Sequence, residues 1–182
     1  MSFISDIKLK IGLKILRSKS KKLKRERGVF NFDNAKTVGI VFNATKQDSF
    51  DIAYEFVKFL EHKTIKVETL GFVDSKEVRD FYRETVNSKY FSKKNLNWFG
   101  KPKNENVDKF INKNFDILID LSFIDEFPIS YISALSKAKF KVGRLTGKVE
   151  YLDFMIDISK KTEYKYLIEQ IKHYLSSLNK NN

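Results

Sequence analysis

Two short apolar runs, TVGIVF (37–42) and DILIDL (116–121), constrain this chain most. Each is rich in branched aliphatic residues, ends in polar residues, and is followed by a segment of helical periodicity. Brief continuous apolar runs of this length read as strands buried on both faces. IKVETLGFV (65–73), KFKVGRL (139–145) and DFMIDIS (153–159) extend the series, and LNWFG (96–100) is a possible short strand. Between them lie helical stripes. Phe50, Ala53, Tyr54, Phe56, Val57 and Leu60 form one, with Asp48 or Ser49 as its N-cap. DSKEVRDFYRET (74–85) reads as a helix capped by Asp74 or Ser75. Val107, Phe110 and Ile111 mark another, ending near Asn114. Pro128 opens PISYISALSKA, where a missing N–H costs nothing. Glu163 to Leu178 closes the chain, with Tyr164, Leu167, Ile168, Ile171, Leu175 and Leu178 inward. Strands alternating with helices give an α/β fold: an open, mostly parallel, doubly wound (Rossmann-like) sheet with helices on both faces. TVGIVF and DILIDL are expected at its centre.

Seventeen phenylalanines and 42% hydrophobic residues supply a core for one domain. The absence of cysteine excludes disulfides, thiolate nucleophiles and cysteine-bound metal. No apolar run is long enough to span a bilayer. Lysines interrupt the apolar residues of MSFISDIKLKIGLKILRSK, which is unlike a secretory signal. The expectation is a cytoplasmic protein with a basic amphipathic helix or arm over 1–28 and a single α/β domain over 29–182.

The formal charge of +12 is unevenly placed. Residues 1–28 carry ten basic and two acidic side chains, a balance of +8, and residues 29–182 carry only +4. In the arm, Ile4, Ile7, Ile11 and Ile15 recur at helical spacing on one side. Leu9, Leu13 and Leu16 lie opposite, with Lys8, Lys10, Lys14 and Arg17 between. A helix with two apolar stripes can be covered from two sides, or it docks by one and leaves the other exposed. The stretch SKSKKLKRERG follows it. Such asymmetry points to a polyanion, contacted by Lys19, Lys21, Lys22, Lys24, Arg25 and Arg27.

Ligands of open α/β sheets sit beyond the carboxyl ends of the strands. The polar residues expected there are Asn43, Thr45 and Lys46, then Asp74, then Asp120 and Ser122, then Arg144, then Asp157 and Ser159. Asn43, Asp120, Ser122 and Arg144 are the candidate ligand contacts. The turn after the first strand, FNATKQDS, has no glycine, which argues against a nucleotide phosphate held by backbone amides. The two histidines, His62 and His173, stand in helical segments without a local Ser or Asp signature. Asp116 with Asp120, and Asp153 with Asp157, each share one side of a strand, a spacing that also simply brackets a buried centre. Lys137, Lys139, Lys141, Arg144 and Lys148 are expected along one basic edge. Tyr90, Trp98 and Phe99, interleaved with Lys89, Lys93, Lys94 and Lys101, form a second possible patch, where aromatic residues more commonly cover a core. No catalytic residue, metal site or cofactor is assigned.

FDILIDLSFIDEFPISYISALSKAKFKVGR (115–144) resembles a family of short, uncharacterised Bacteroidota proteins, over most of the chain. The same residues are loosely similar to a Rossmann-like segment of heptosyltransferase-type glycosyltransferases, with a D-x-x-I-D-L strand, a helix and an A-K-x-x-V-G strand. That second resemblance implies the fold and, through it, a nucleotide-sugar ligand; those enzymes use two such domains, and this chain has the length for one. Taken together, the residues favour a non-enzymatic RNA-binding or ribosome-associated protein, with rRNA or the ribosome as partner. The alternatives are a peripheral protein of anionic membranes and a sugar- or nucleotide-binding enzyme.

Overall fold

The computed structural model describes residues 3–76, 82, 84–123, 125–146 and 151–178. Six parallel strands form one sheet: β1 (Thr37–Asn43), β2 (Lys66–Val73), β3 (Ser88–Ser92), β4 (Ile117–Asp120), β5 (Phe140–Arg144) and β6 (Phe154–Ile156). Their order is β3-β2-β1-β4-β5-β6, so TVGIVF and DILIDL are neighbours at the centre, as expected. The chain order reverses between β1 and β4, the switch point of a doubly wound sheet. The helices are α1 (Phe3–Lys22), α2 (Gln47–His62), α3 (Glu105–Asn112), α4 (Phe127–Leu135) and α5 (Tyr164–Ser177).

Period-2 alternation divides the core into two layers. Val38, Ile40, Phe42, Ile117, Ile119 and Leu121 face α2 and α5. Val41 and Leu118 face α1, α3 and α4. Alternation puts residue 39 on the second face with Val41, where a Cβ would stand 2.8 Å from the Phe115 ring and glycine leaves the room.

Several local expectations change. The third strand is SKYFS (88–92), paired with β2, and LNWFG contributes only an isolated bridge from Leu96 to Pro102 followed by a turn. β3 is an edge strand with polar ends, so its sequence lacks an apolar run. α2 starts at Gln47, ahead of the expected caps; Lys46 is its N-cap residue, and Asp48 sits in the first turn. There a carboxylate still favours the positive helix end. Half of the helix expected over 74–85 falls on 77–81 and 83, outside the described residues; the other half, 74–76, 82, 84 and 85, is not helical. The basic edge also dissolves: β5 is internal, covered by β6. Lys141 is buried, Lys139 pairs with Asp116 at one end of β5, and Arg144 lies at the other. Lys148 is outside the described residues.

α1 is part of the domain's packing. Leu16 is 1% exposed and belongs to the α3–α4 layer, with Leu13 packed beside it. Gly12 permits the close approach: a Cβ there would meet Phe127 Cζ at 2.8 Å and the Phe99 carbonyl at 3.1 Å. A mid-helix glycine costs about 1 kcal/mol against alanine, so this contact is what it is kept for. Of the two apolar stripes, the leucine side docks through Leu13 and Leu16, while Ile7 and Ile11 remain exposed. Among the described residues, no helix is long and apolar enough to cross a membrane.

Candidate nucleic-acid interface

Docking by Gly12, Leu13 and Leu16 decides which way α1 presents its cations. Lys10, Lys14, Arg17 and Lys21 follow one another at i, i+4, i+7 and i+11. This spacing places them in one stripe along the outer side, about 16 Å long at 1.5 Å per residue. All four are exposed, as are Lys8, Lys19 and Lys22. None of them makes an ion pair among the described residues. The repeat is visible in the sequence; its outward direction is not, because that follows from which apolar stripe the core takes.

After α1 the chain runs as an extended strap over the beginnings of β5 and β6. Arg25 fastens it. One of its terminal nitrogens, Nη1, donates to the carbonyls of Ala138 (3.0 Å) and Lys139 (2.9 Å). The other, Nη2, holds the Asp153 carboxylate in a fork at 2.5 and 2.7 Å. The same carboxylate accepts the Lys141 amide at 2.9 Å. Arg25 is thereby withdrawn from the expected polyanion contacts: its side chain is 5% exposed and its donors serve the fold. Lys19, Lys21, Lys22, Lys24 and Arg27 stay exposed. Further on, the Phe32 amide donates to the Leu175 carbonyl and the Asn31 side chain to that of Leu178, leading the chain under α5 into β1. A division at 28/29 therefore falls inside the connection between α1 and β1, and Leu16 and Arg25 tie the residues before it to the domain.

The aromatic patch separates into parts. Tyr90 is buried in the layer facing α2, where burial raises its phenol to about 12. Phe99 packs beneath α1. Trp98 alone is open, 62% exposed, with its ring edge-on to Phe99 at 5.2 Å. It therefore extends the surface around α1. Lys93 and Lys89 are paired with Asp74 and Glu84.

At the carboxyl end of the sheet, Asn43, Asp120, Ser122 and Arg144 do gather, each engaged with another protein group. Asp120 is 4% exposed. It accepts the Ser122 hydroxyl at 2.6 Å, the Ser122 amide at 2.9 Å and the Ser133 hydroxyl from α4 at 2.7 Å. Burial raises its carboxyl above the usual range, and these donors, with Arg144 nearby, only partly offset that. Arg144 donates through Nε to the Ser122 carbonyl at 3.0 Å and pairs with Asp125. The Asn43 amide crosses the switch point to Glu126 Oε2 at 2.6 Å, and its carbonyl oxygen caps Thr45. Burial also raises Glu126. Asp125 and Glu126 carried no sequence signal, because neither belongs to a periodic element.

The remaining paired acids have structural partners. Burial would raise the Asp116 carboxyl, but the amides of Lys36 and Thr37 and the Lys139 ammonium outweigh it and hold it low. Asp157 caps the Ser159 amide at 2.8 Å. Both histidines are exposed. Among the described residues no cluster of acids and histidines has the makings of a metal site.

Comparison with known proteins places the chain without assigning it an activity. No curated protein matches it. The model of a family of unknown function, DUF6913, matches residues 8–178, from within α1 to the end of α5, and the chain belongs to that family.

Proposed function

We propose that this protein is a non-enzymatic RNA-binding protein, associated with the ribosome or another structured RNA, that holds phosphates on the outer face of α1. The observation that carries this reading is the exposed stripe Lys10–Lys14–Arg17–Lys21, without an ion pair among the described residues, on a helix docked through Gly12 and Leu16. A docked helix presents its cations without first paying the ordering entropy of a mobile tail. Lys19, Lys22 and Lys24 continue the positive surface, and Trp98 offers an exposed ring for stacking a base. Lysine and arginine on phosphates bring affinity with little sequence choice. The interlocked carboxyl end of the sheet supports the non-enzymatic part: a nucleotide-sugar there would have to break bonds that Asn43, Asp120, Ser122 and Arg144 already make.

Four phosphate contacts imply that affinity for RNA falls roughly 50- to 150-fold between about 50 and 200 mM salt. Co-sedimentation with ribosomes and filter binding to total RNA would be compared for the wild type and a variant carrying Lys10→Glu, Lys14→Glu, Arg17→Glu and Lys21→Glu. Loss of binding and of its salt slope in the variant is the expected result. Equal binding by both proteins removes the proposal. Flotation of the wild type, but not of the variant, only with vesicles containing anionic lipid would assign the stripe, with Ile7 and Ile11 beside it, to a membrane surface instead.

A further inference from the structure

Beneath the strap lies a cavity of about 280 Å³, bordered by Ser20, Arg25, Arg27, Lys141, Tyr151 and Asp153. Its chemistry is unusual at Lys141. This residue stands in the internal strand β5 between Phe140 and Val142, 1% exposed. Among the described residues its ammonium makes one hydrogen bond, to the Ala134 carbonyl of α4 at 3.0 Å, and Ala134 borders the same cavity. An ammonium has three donors, so two are unanswered by any protein acceptor among the described residues. Asp153, the carboxylate beside it, is already held through both oxygens by Arg25 Nη2 and accepts the Lys141 amide. Arg27 adds a further exposed cation at the border, with no ion pair among the described residues. Among the described residues the cavity thus holds more positive charge than its one carboxylate answers.

A buried cation without a counter-charge is costly, and an aliphatic side chain would fill this strand position without that cost. Lysine there is explained if the counter-charge comes from outside the chain. We infer that the cavity under the strap is a binding site for a phosphate group, held by the Lys141 ammonium and the Arg27 guanidinium. Two cations suit a dianion better than a carboxylate. The volume exceeds that of a bare phosphate, leaving room beside Tyr151 for the first atoms of the group that carries it. A phosphate monoester is therefore the ligand class. The site lies on the inner side of the strap, separate from the outward stripe on α1, so it stands or falls independently of RNA binding.

The cost of burial and the repulsion from Arg25 and Arg27, set against the attraction of Asp153, bring the ammonium down to about 7. A bound anion favours its charged form, so binding is coupled to proton uptake above neutrality. Sulfate, whose own charge is constant from pH 6 to 8.5, isolates this coupling.

Calorimetric titration of the full chain with inorganic phosphate, a phosphate monoester and its unphosphorylated parent alcohol tests the site. One saturable site for both phosphates, and none for the alcohol, is expected. Lys141→Met and Arg27→Ala are each expected to weaken it at least about tenfold, the worth of a charge-assisted hydrogen bond. Substituting alanine at Lys10, Lys14, Arg17 and Lys21 together leaves it intact. Sulfate binds more tightly at pH 6 than at pH 8.5 in the wild type, and this difference disappears in Lys141→Met. Arg27 is exposed, so its variant keeps the test decisive if Lys141→Met folds poorly. Absence of saturable phosphate binding, unchanged affinity in Arg27→Ala, or loss of binding only in the α1 variant overturns the assignment.

Discussion

The two ends of the sheet make opposite use of their polar groups. At the carboxyl end, Asn43 meets Glu126, Ser122 and Ser133 meet Asp120, and Arg144 meets Asp125. Donors and acceptors there answer one another. At the amino end of β5 and β6, the strap brings Arg25, Arg27 and buried Lys141 around Asp153, and a cavity remains between them. Parallel α/β sheets ordinarily bind ligands at the carboxyl end, at the switch point. Here, among the described residues, the polar side chains at that end are engaged with one another, and a cavity with excess positive charge lies at the other. Fold topology thus says where a ligand usually sits, and the balance of donors and acceptors says whether that place is still open.

Arg25→Ala puts the largest strain on this contrast. It leaves the Asp153 carboxylate with the Lys141 amide as its one donor among the described residues and cuts the strap loose from the Ala138 and Lys139 carbonyls. A loss of about 3 kcal/mol in chemical denaturation is expected, the low end for breaking a buried pair because Asp153 is partly exposed. Lys24→Ala, one residue away and exposed, is the matched control, and should stay within about 0.5 kcal/mol. Equal effects would mean that the strap is held by something other than Arg25.

Lys141→Met moves stability the other way, up by about 1–4 kcal/mol near neutral pH, as replacement of buried charge by an apolar side chain of similar volume commonly does. The sign with pH is specific. The unfolded chain holds this proton up to the ordinary 10.5 and the folded protein only to about 7. Wild-type stability should therefore rise across that window, while Lys141→Met loses this part of the rise. Parallel curves for the two proteins between pH 7 and 10 would show that the ammonium is not buried in solution.

Asp120→Asn is the mildest test and bears on the carboxyl end. The amide keeps the shape but offers a donor where the carboxylate accepts, so one of the two serine hydroxyls must turn round. A cost of about 1 kcal/mol in thermal or chemical unfolding, with RNA and phosphate binding unchanged, is the expected outcome. Loss of phosphate binding in this variant would move the ligand site to the carboxyl end.

How much was legible in advance differs by element. β1, β2, β4 and α5 were readable because burial on both faces, or on one helical face, imposes a periodic apolar pattern. β3 was not, because SKYFS is a short edge strand whose pairing with β2 supplies its order. The gathering of Asn43, Asp120, Ser122 and Arg144 followed from topology alone, since all four end or follow strands of one parallel sheet. That their hydrogen bonds are already spent required Glu126, Ser133 and Asp125, which arrive from other elements. The basic arm was legible as charge and as helical spacing, but Arg25 could not be told from Lys24 beside it.

The sequence by itself determined the α/β class, the central pair of strands and the concentration of positive charge in the first 28 residues. These follow from local periodicity and composition, which act within a few residues of each position. Tertiary structure alone decided which stripe of α1 meets the core, which cation becomes a fastening and which a free surface, and that Lys141 is buried beside a cavity. Those outcomes depend on partners far along the chain, as with Arg25 and Asp153, 128 positions apart. Only folding brings such groups within hydrogen-bonding distance, and only then does burial set the cost of a charge.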